Sequence, residues 1–158
     1  MVMIGGLPVQ RVRLLIINNN QVIRRGLASL FVANGFNVVG EYDSIAETDY
    51  LQRLQPDVVL YGLSIQDEKS LSLISTIKEV CPCTLVVILT DLNKRPGIIA
   101  AFAAGADGYL KTPILPADLV TAINLTCRSG ICFYPRAAKD TLISQTASIK
   151  KWADNGEG

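Results

Sequence analysis

Residues 57–61 read Asp-Val-Val-Leu-Tyr, and every residue after the aspartate is apolar or aromatic. The run follows Gln55-Pro56, which ends the helical pattern before it because the residue preceding a proline avoids the helical conformation. A continuous apolar run of this length is typical of a strand that is covered on both faces of a sheet. We therefore predict a central, buried strand at 57–61.

Similar runs lie on both sides of this strand and alternate with segments of helical periodicity. The predicted strands are 11–17, 36–41, 57–61, 84–89 and 108–110, and the predicted helices are 21–34, 44–54, 69–80, 96–104 and 116–128. Five strand–helix units with short loops predict an α/β fold in which one open parallel sheet carries helices on both faces. In such (βα)5 doubly wound sheets the functional site lies at the carboxyl ends of the strands.

The 158 residues divide into three predicted parts. We assign residues 1–10 to an N-terminal extension, 11–130 to the α/β domain, and 131–158 to a linker and an extra C-terminal helix. Since no apolar run approaches the ~18 residues that span a bilayer, we expect no membrane segment and a cytoplasmic protein.

Composition excludes several classes of function. The chain has no histidine, which removes histidine-based catalysis and histidine metal sites, and we expect no enzymatic activity. Its formal net charge is +1, whereas a domain that binds nucleic-acid phosphates by itself is normally far more basic.

The four cysteines are Cys81, Cys83, Cys127 and Cys132. In a cytoplasmic chain the default state of each is a reduced thiol. The spacing Cys-Pro-Cys differs from the C-x-x-C of redox and zinc motifs, and the four positions fit structural zinc poorly.

Five segments, in order along the chain, resemble the receiver domain of response regulators, of the CheY type and nearest the NarL/LuxR branch. They are Arg24-Arg25-Gly26-Leu27, Val38-Val39-Gly40-Glu41, Pro56-Asp57-Val58-Val59-Leu60, Gly105-Ala106-Asp107-Gly108-Tyr109-Leu110 and Pro116 to Ile123. The resemblance covers about residues 11–135 and implies a flavodoxin-like sheet with strand order 2-1-3-4-5.

The resemblance also implies where the family's phosphorylation chemistry would lie, and here those positions are degenerate. Asn18 and Asn19 stand where the family has the acidic pair that holds Mg²⁺. Gly62 stands at the position of the acceptor aspartate, and Thr112 at the position of the family's lysine. Lys111 is one residue early, and strand alternation turns it to the other face. We therefore expect a pseudo-receiver that binds no Mg²⁺ and accepts no phosphoryl group.

Two elements of the family's switch remain, Thr90 at the end of the fourth strand and Tyr109 in the fifth. They correspond to the threonine and aromatic residue that respond to phosphorylation in the family. The interpretation that we favour is a hydroxyl at a strand end and a half-buried aromatic ring, because the phosphorylation site that would drive the switch is missing.

The fourth helix is apolar around most of its circumference, which suggests a second contact besides the sheet. The predicted interface with a second copy or a partner protein consists of Ile98, Ile99, Phe102, Val120 and Ile123. The alternative is that Ile98 or Ile99, together with Phe102, fills the core while the alanines face solvent.

These observations favour an atypical, phosphorylation-independent receiver of a NarL/LuxR-like transcription regulator that acts through homodimerisation or partner docking. No recognition helix fits after the predicted C-terminal helix, so we expect DNA contact only through a separate domain absent from this chain. The alternative is a redox or small-ligand sensor that uses Cys127 and Cys132 or the vacated acidic pocket.

Overall fold

A computed structural model of the chain describes residues 11–44, 49–62, 68–91 and 95–129, together with the backbone of 3–4 and 7–8. The predicted C-terminal helix and Cys132 lie outside the described residues. Among the helices that are described, none has both the length and the apolar character needed to cross a bilayer.

Five strands alternate with five helices along the described domain. The strands are β1 Arg13–Ile17, β2 Asn37–Tyr42, β3 Val58–Gly62, β4 Leu85–Thr90 and β5 Gly108–Lys111. The helices are α1 Gln21–Ala33, α2 Asp49–Leu54, α3 Glu68–Val80, α4 Arg95–Ala103 and α5 Pro116–Ser129. A separate antiparallel pair, Met3–Ile4 with Leu7–Pro8, precedes them.

The five strands form one sheet in the order β2-β1-β3-β4-β5, and all neighbouring strands are parallel. This confirms the predicted flavodoxin-like order 2-1-3-4-5. Since every strand points the same way, the loops that leave their carboxyl ends meet at one edge of the sheet.

Each face of the sheet has its own hydrophobic core. Alternation along β1 sends Leu14 and Ile16 to the core that includes residues of α1 and α5, and Leu15 and Ile17 to the core under α2, α3 and α4. Side chains of β3 and β4 also alternate between the two cores, which explains why these strands are apolar throughout.

Three residues of the predicted interface are buried in these two cores. Ile98 is 1% exposed, Val120 9% and Ile123 0%, because α4 and α5 turn these side chains toward the sheet. The prediction that these three residues contribute to a surface was therefore wrong. Ile99, which is 41% exposed, and the half-buried Phe102 remain accessible on α4.

Candidate functional site

The carboxyl ends of four strands surround one cavity of about 240 Å³. Asn18 and Asn19 follow β1, Gly62 ends β3, Thr90 ends β4, and Thr112 follows β5. The structure thus brings together the positions that were predicted to form a degenerate phosphorylation site. The described residues that line the cavity are Asn18, Asn19, Asn20, Ile23, Gly62, Leu89, Thr90, Asp91 and Thr112.

Asn18 lines this cavity, is only 8% exposed and takes part in three hydrogen bonds. Its backbone N–H donates to the Tyr42 carbonyl at 2.9 Å, and its carbonyl accepts from Nη1 of Arg24 at 2.7 Å. Its side-chain Oδ1 accepts from the Asn20 N–H at 2.9 Å. The first two bonds hold the backbone of Asn18, and the third fixes the orientation of its side chain.

Asn20 begins α1 as its N-cap. Its Oδ1 accepts from the backbone N–H of Val22 at 3.0 Å and of Ile23 at 3.1 Å. Such bonds satisfy donors that the first helical turn leaves without partners. Asn18 and Asn20 therefore have a structural role: their side-chain bonds turn the chain from the strand into the helix.

Gly62 lies directly against Asn18. A Cβ atom built on Gly62 would overlap Asn18 Nδ2 and lie 2.9 Å from Asn18 Cγ. Real Cβ atoms essentially never come that close to another heavy atom. The side chain of Asn18 consequently occupies the space into which a side chain at position 62 would project.

Thr90 and Tyr109 are buried neighbours, with exposed fractions of 3% and 4%. Their side chains share a hydrogen bond. Burial raises the pKa of Tyr109, the bond to Thr90 opposes that rise, and the negative charge of Asp91 adds to it. The aromatic ring is thus fully inside the protein rather than half-buried.

Thr112 and Lys111 differ in whether they line the cavity, as strand alternation predicts. Thr112 is half-buried and lines the cavity, and its N–H donates to the Thr90 carbonyl at 2.8 Å. Lys111 is exposed and is not among the described residues that line the cavity.

The donor set of the cavity is unlike that of a magnesium site. Mg²⁺ takes hard oxygen ligands and is usually held by one or two carboxylates together with waters and substrate phosphates. Of the described lining residues, Asp91 alone carries a carboxylate, and its side chain is exposed. Within the described ranges no three acidic or cysteine residues are grouped so as to hold a metal ion.

The cysteines that the structure describes lie away from this cavity. Cys81 and Cys83 line a second space of about 360 Å³ that also includes Asp57, which stands just before β3 at the opposite end of the sheet. Cys127 is half-buried on α5. Burial raises the pKa of the Cys127 thiol to about 11, with a further rise from Asp57 that Arg128 partly offsets.

We expect Cys127 to react with iodoacetamide at least tenfold more slowly than the exposed Cys83 at pH 7. The thiolate is the nucleophile, and a pKa of about 11 leaves Cys127 almost entirely protonated at that pH. Timed alkylation followed by peptide mass mapping separates the two sites. The Cys127 rate should rise about tenfold per pH unit between pH 7 and 9, and a plateau in that range would contradict the expectation.

Comparisons with known proteins agree with this geometry. The sequence model of the response regulator receiver domain matches residues 14–124. Response regulator protein VraR of Staphylococcus aureus is 26% identical over 145 residues, which cover 90% of this chain and 68% of VraR.

Two solved structures share the fold. The receiver domain of RcsB from Salmonella enterica serovar Typhimurium has a TM-score of 0.70 at 23% identity, covering 83% of this chain and 98% of that one. A LuxR-family two-component response regulator from Aurantimonas sp. SI85-9A1 has a TM-score of 0.70 at 22% identity, covering 87% and 99%. With the family match over most of the sheet and its helices, the chain belongs to the response regulator receiver domain family.

Proposed function

We propose that this receiver domain works without phosphorylation and without Mg²⁺, as the regulatory module of a NarL/LuxR-like transcription regulator. The observation that carries the proposal is the packing of Asn18 against Gly62. Position 62 has no nucleophile, and the space that an aspartate would need is filled by an amide side chain. Phosphoryl transfer to a protein requires a carboxylate or another nucleophile at the acceptor position.

The remaining residues of the cavity support the same proposal. Asn18 and Asn19 are neutral where the family has the acidic pair, and Thr112 has no positive charge to stabilise a phosphoryl group. The buried Thr90–Tyr109 pair is linked by a hydrogen bond that is present without an added phosphate, which supports the proposal. We infer that the domain holds one conformation.

Intact-mass measurement after incubation with acetyl phosphate and Mg²⁺ tests the proposal. We expect no added phosphoryl group on this chain, whereas a receiver that retains its acceptor aspartate gains one in the same reaction. A stoichiometric mass gain that maps to residues around the cavity would refute the proposal.

The signal would then pass through protein contacts on α4. Ile99 is 41% exposed, Ala103 is exposed and Phe102 is half-buried, and between Arg95 and Asp107 the sequence has no charged residue. An uncharged helix surface with an exposed isoleucine is a favourable place for a second copy of the domain or for a partner protein. DNA contact would come from a separate domain, and the cytoplasm is the typical location of response regulators.

We expect Ile99→Asp to weaken self-association at least tenfold, because it places a charge in the centre of this apolar surface. Light scattering behind a sizing column, over a range of concentrations, measures the effect. Val32→Asp is the matched control, since Val32 is 59% exposed on α1 and lies on the other face of the sheet. Equal concentration dependence for Ile99→Asp and the unmodified chain would exclude α4 as the contact.

A further inference from the structure

The cavity at the carboxyl ends of the strands contains a hydrogen-bond donor that the fold does not use. Oδ1 of Asn18 is bonded to the Asn20 N–H, which directs Nδ2 toward Gly62. Among the described residues Nδ2 has no hydrogen-bond partner, although Asn18 is more than nine-tenths buried. No fully buried side-chain nitrogen or oxygen of the described residues lacks a partner, so this amide must open into the cavity.

Other groups around the cavity define the ligand that would suit it. The half-buried Thr112 lines the cavity, and its hydroxyl has no partner among the described residues. Asp91 contributes an exposed carboxylate, which accepts hydrogen bonds, while Ile23 and Leu89 contribute apolar surface. The lining thus combines hydrogen-bond donors, one acceptor and a small apolar surface.

The charges of the described lining residues argue against an ionic ligand. Asp91 repels an anion, and no lysine or arginine among these residues would offset that repulsion. A cation would meet one exposed carboxylate, whose attraction is weak in water. An uncharged ligand avoids both costs, and it can accept the hydrogen bond that the Asn18 amide offers to the cavity.

We propose that this cavity binds a small, uncharged molecule that carries a carboxamide group. The carbonyl oxygen of the ligand accepts from Asn18 Nδ2 and from the Thr112 hydroxyl, and its N–H donates to Asp91. A compact apolar portion contacts Ile23 and Leu89. The volume of about 240 Å³ limits the ligand to a small metabolite, below the range of typical drug-sized pockets.

This inference rests on the proposed function only in that the cavity must be free of a phosphoryl group. Phosphorylation and ligand binding are measured separately, so their failures can be told apart. A chain that takes up phosphoryl groups but binds the probe refutes the proposed function alone. A chain that stays unmodified and ignores the probe refutes the ligand site alone.

Benzamide, benzoate and benzamidinium test the proposal, because they have nearly the same shape and are neutral, negative and positive. Titration of the ¹⁵N-labelled chain should give saturable shifts of the Asn18 side-chain amide and the Thr112 backbone amide with benzamide. We expect the two ions to bind at least fivefold more weakly. Preference for either ion, or no saturable response to benzamide, overturns the proposal.

Variants locate the binding site. Thr112→Val should weaken benzamide binding roughly threefold to tenfold, the effect of losing one hydrogen bond. Thr121→Val is the matched control, since Thr121 is exposed on α5 and does not line the cavity. Asn18→Ala should abolish the response in a chain whose remaining spectrum shows it folded. Unchanged benzamide affinity in Thr112→Val overturns the assigned contact.

Discussion

Replacing Gly62 by aspartate is expected to destabilise the folded domain by about 1–3 kcal/mol, rather than to restore a phosphorylation site. The new Cβ would overlap Asn18 Nδ2, so the Asn18 side chain must shift, and the shift strains its bond to the Asn20 N–H. The added carboxylate would also lie beside neutral amides, with no lysine or arginine among the described residues that line the cavity.

Urea unfolding of three variants separates the steric effect from the effect of charge. Gly62→Ala should show most of the loss, because its Cβ causes the overlap. Gly26→Ala is the matched control: Gly26 lies within α1 with nothing within 4 Å of the new atom, so alanine should stabilise by about 0.5–1 kcal/mol. If Gly62→Ala is as stable as the unmodified chain, Asn18 does not fill the space beside Gly62.

Adding Asn18→Ala to Gly62→Ala should recover part of the lost stability. The double variant removes the side chain that the new methyl group strikes, so the two changes should be coupled by about 0.5–3 kcal/mol. Strict additivity of the two free energies of unfolding would contradict the contact.

Ile98→Ala is expected to lower the free energy of unfolding by about 2–5 kcal/mol, the cost of emptying a core position. Ile98 is 1% exposed and packs in the core between α4 and the sheet. The identical change at its neighbour, Ile99→Ala, should cost at most about 1 kcal/mol, because that side chain is 41% exposed.

This pair is closely matched, since both residues are isoleucines in the same helix. Thermal or urea unfolding of the two variants gives the comparison directly. Comparable losses at Ile98 and Ile99 would mean that α4 is rotated relative to the arrangement described above, and the exposed apolar surface would have to be reassigned.

Most of the fold could be predicted from the sequence, because strands and helices in this family leave different patterns. The run 58–61 is apolar or aromatic throughout, as a strand between two cores must be, and the observed strand is Val58–Gly62. That the candidate site residues lie around one cavity also followed from the fold, since parallel strands bring their carboxyl ends together. The pair of two-residue strands near the N-terminus was not predicted, because two residues carry no periodic signal.

The sequence could not predict which face of α4 packs on the sheet. After Arg95 its sequence has no polar residue to mark the solvent side, so the pattern leaves open which of Ile98 and Ile99 faces the sheet. On α5, Val120 and Ile123 were assigned to a surface because they are apolar, whereas the sheet covers them. Only the packing of the helices decides between these alternatives.

The detail that matters most for function was also beyond the sequence. That Gly62 lacks an acceptor is evident from its identity, but the sequence does not show that Asn18 fills the space beside it. This depends on the side-chain conformation of Asn18, which the Asn20 N–H fixes through a hydrogen bond two residues away. The residues at these positions therefore predict a loss of phosphorylation, and the contact between Asn18 and Gly62 supports the same prediction on steric grounds.

The most direct measurement is a ¹H–¹⁵N spectrum of the domain before and after addition of Mg²⁺ and beryllofluoride. The receiver domain of RcsB, whose structure was determined in the presence of the phosphomimetic BeF₃⁻, serves as the positive control. We predict that the resonances of Asn18, Gly62 and Thr90 stay in place at every concentration. Saturable shifts of these resonances would contradict the account of a receiver that works without phosphorylation.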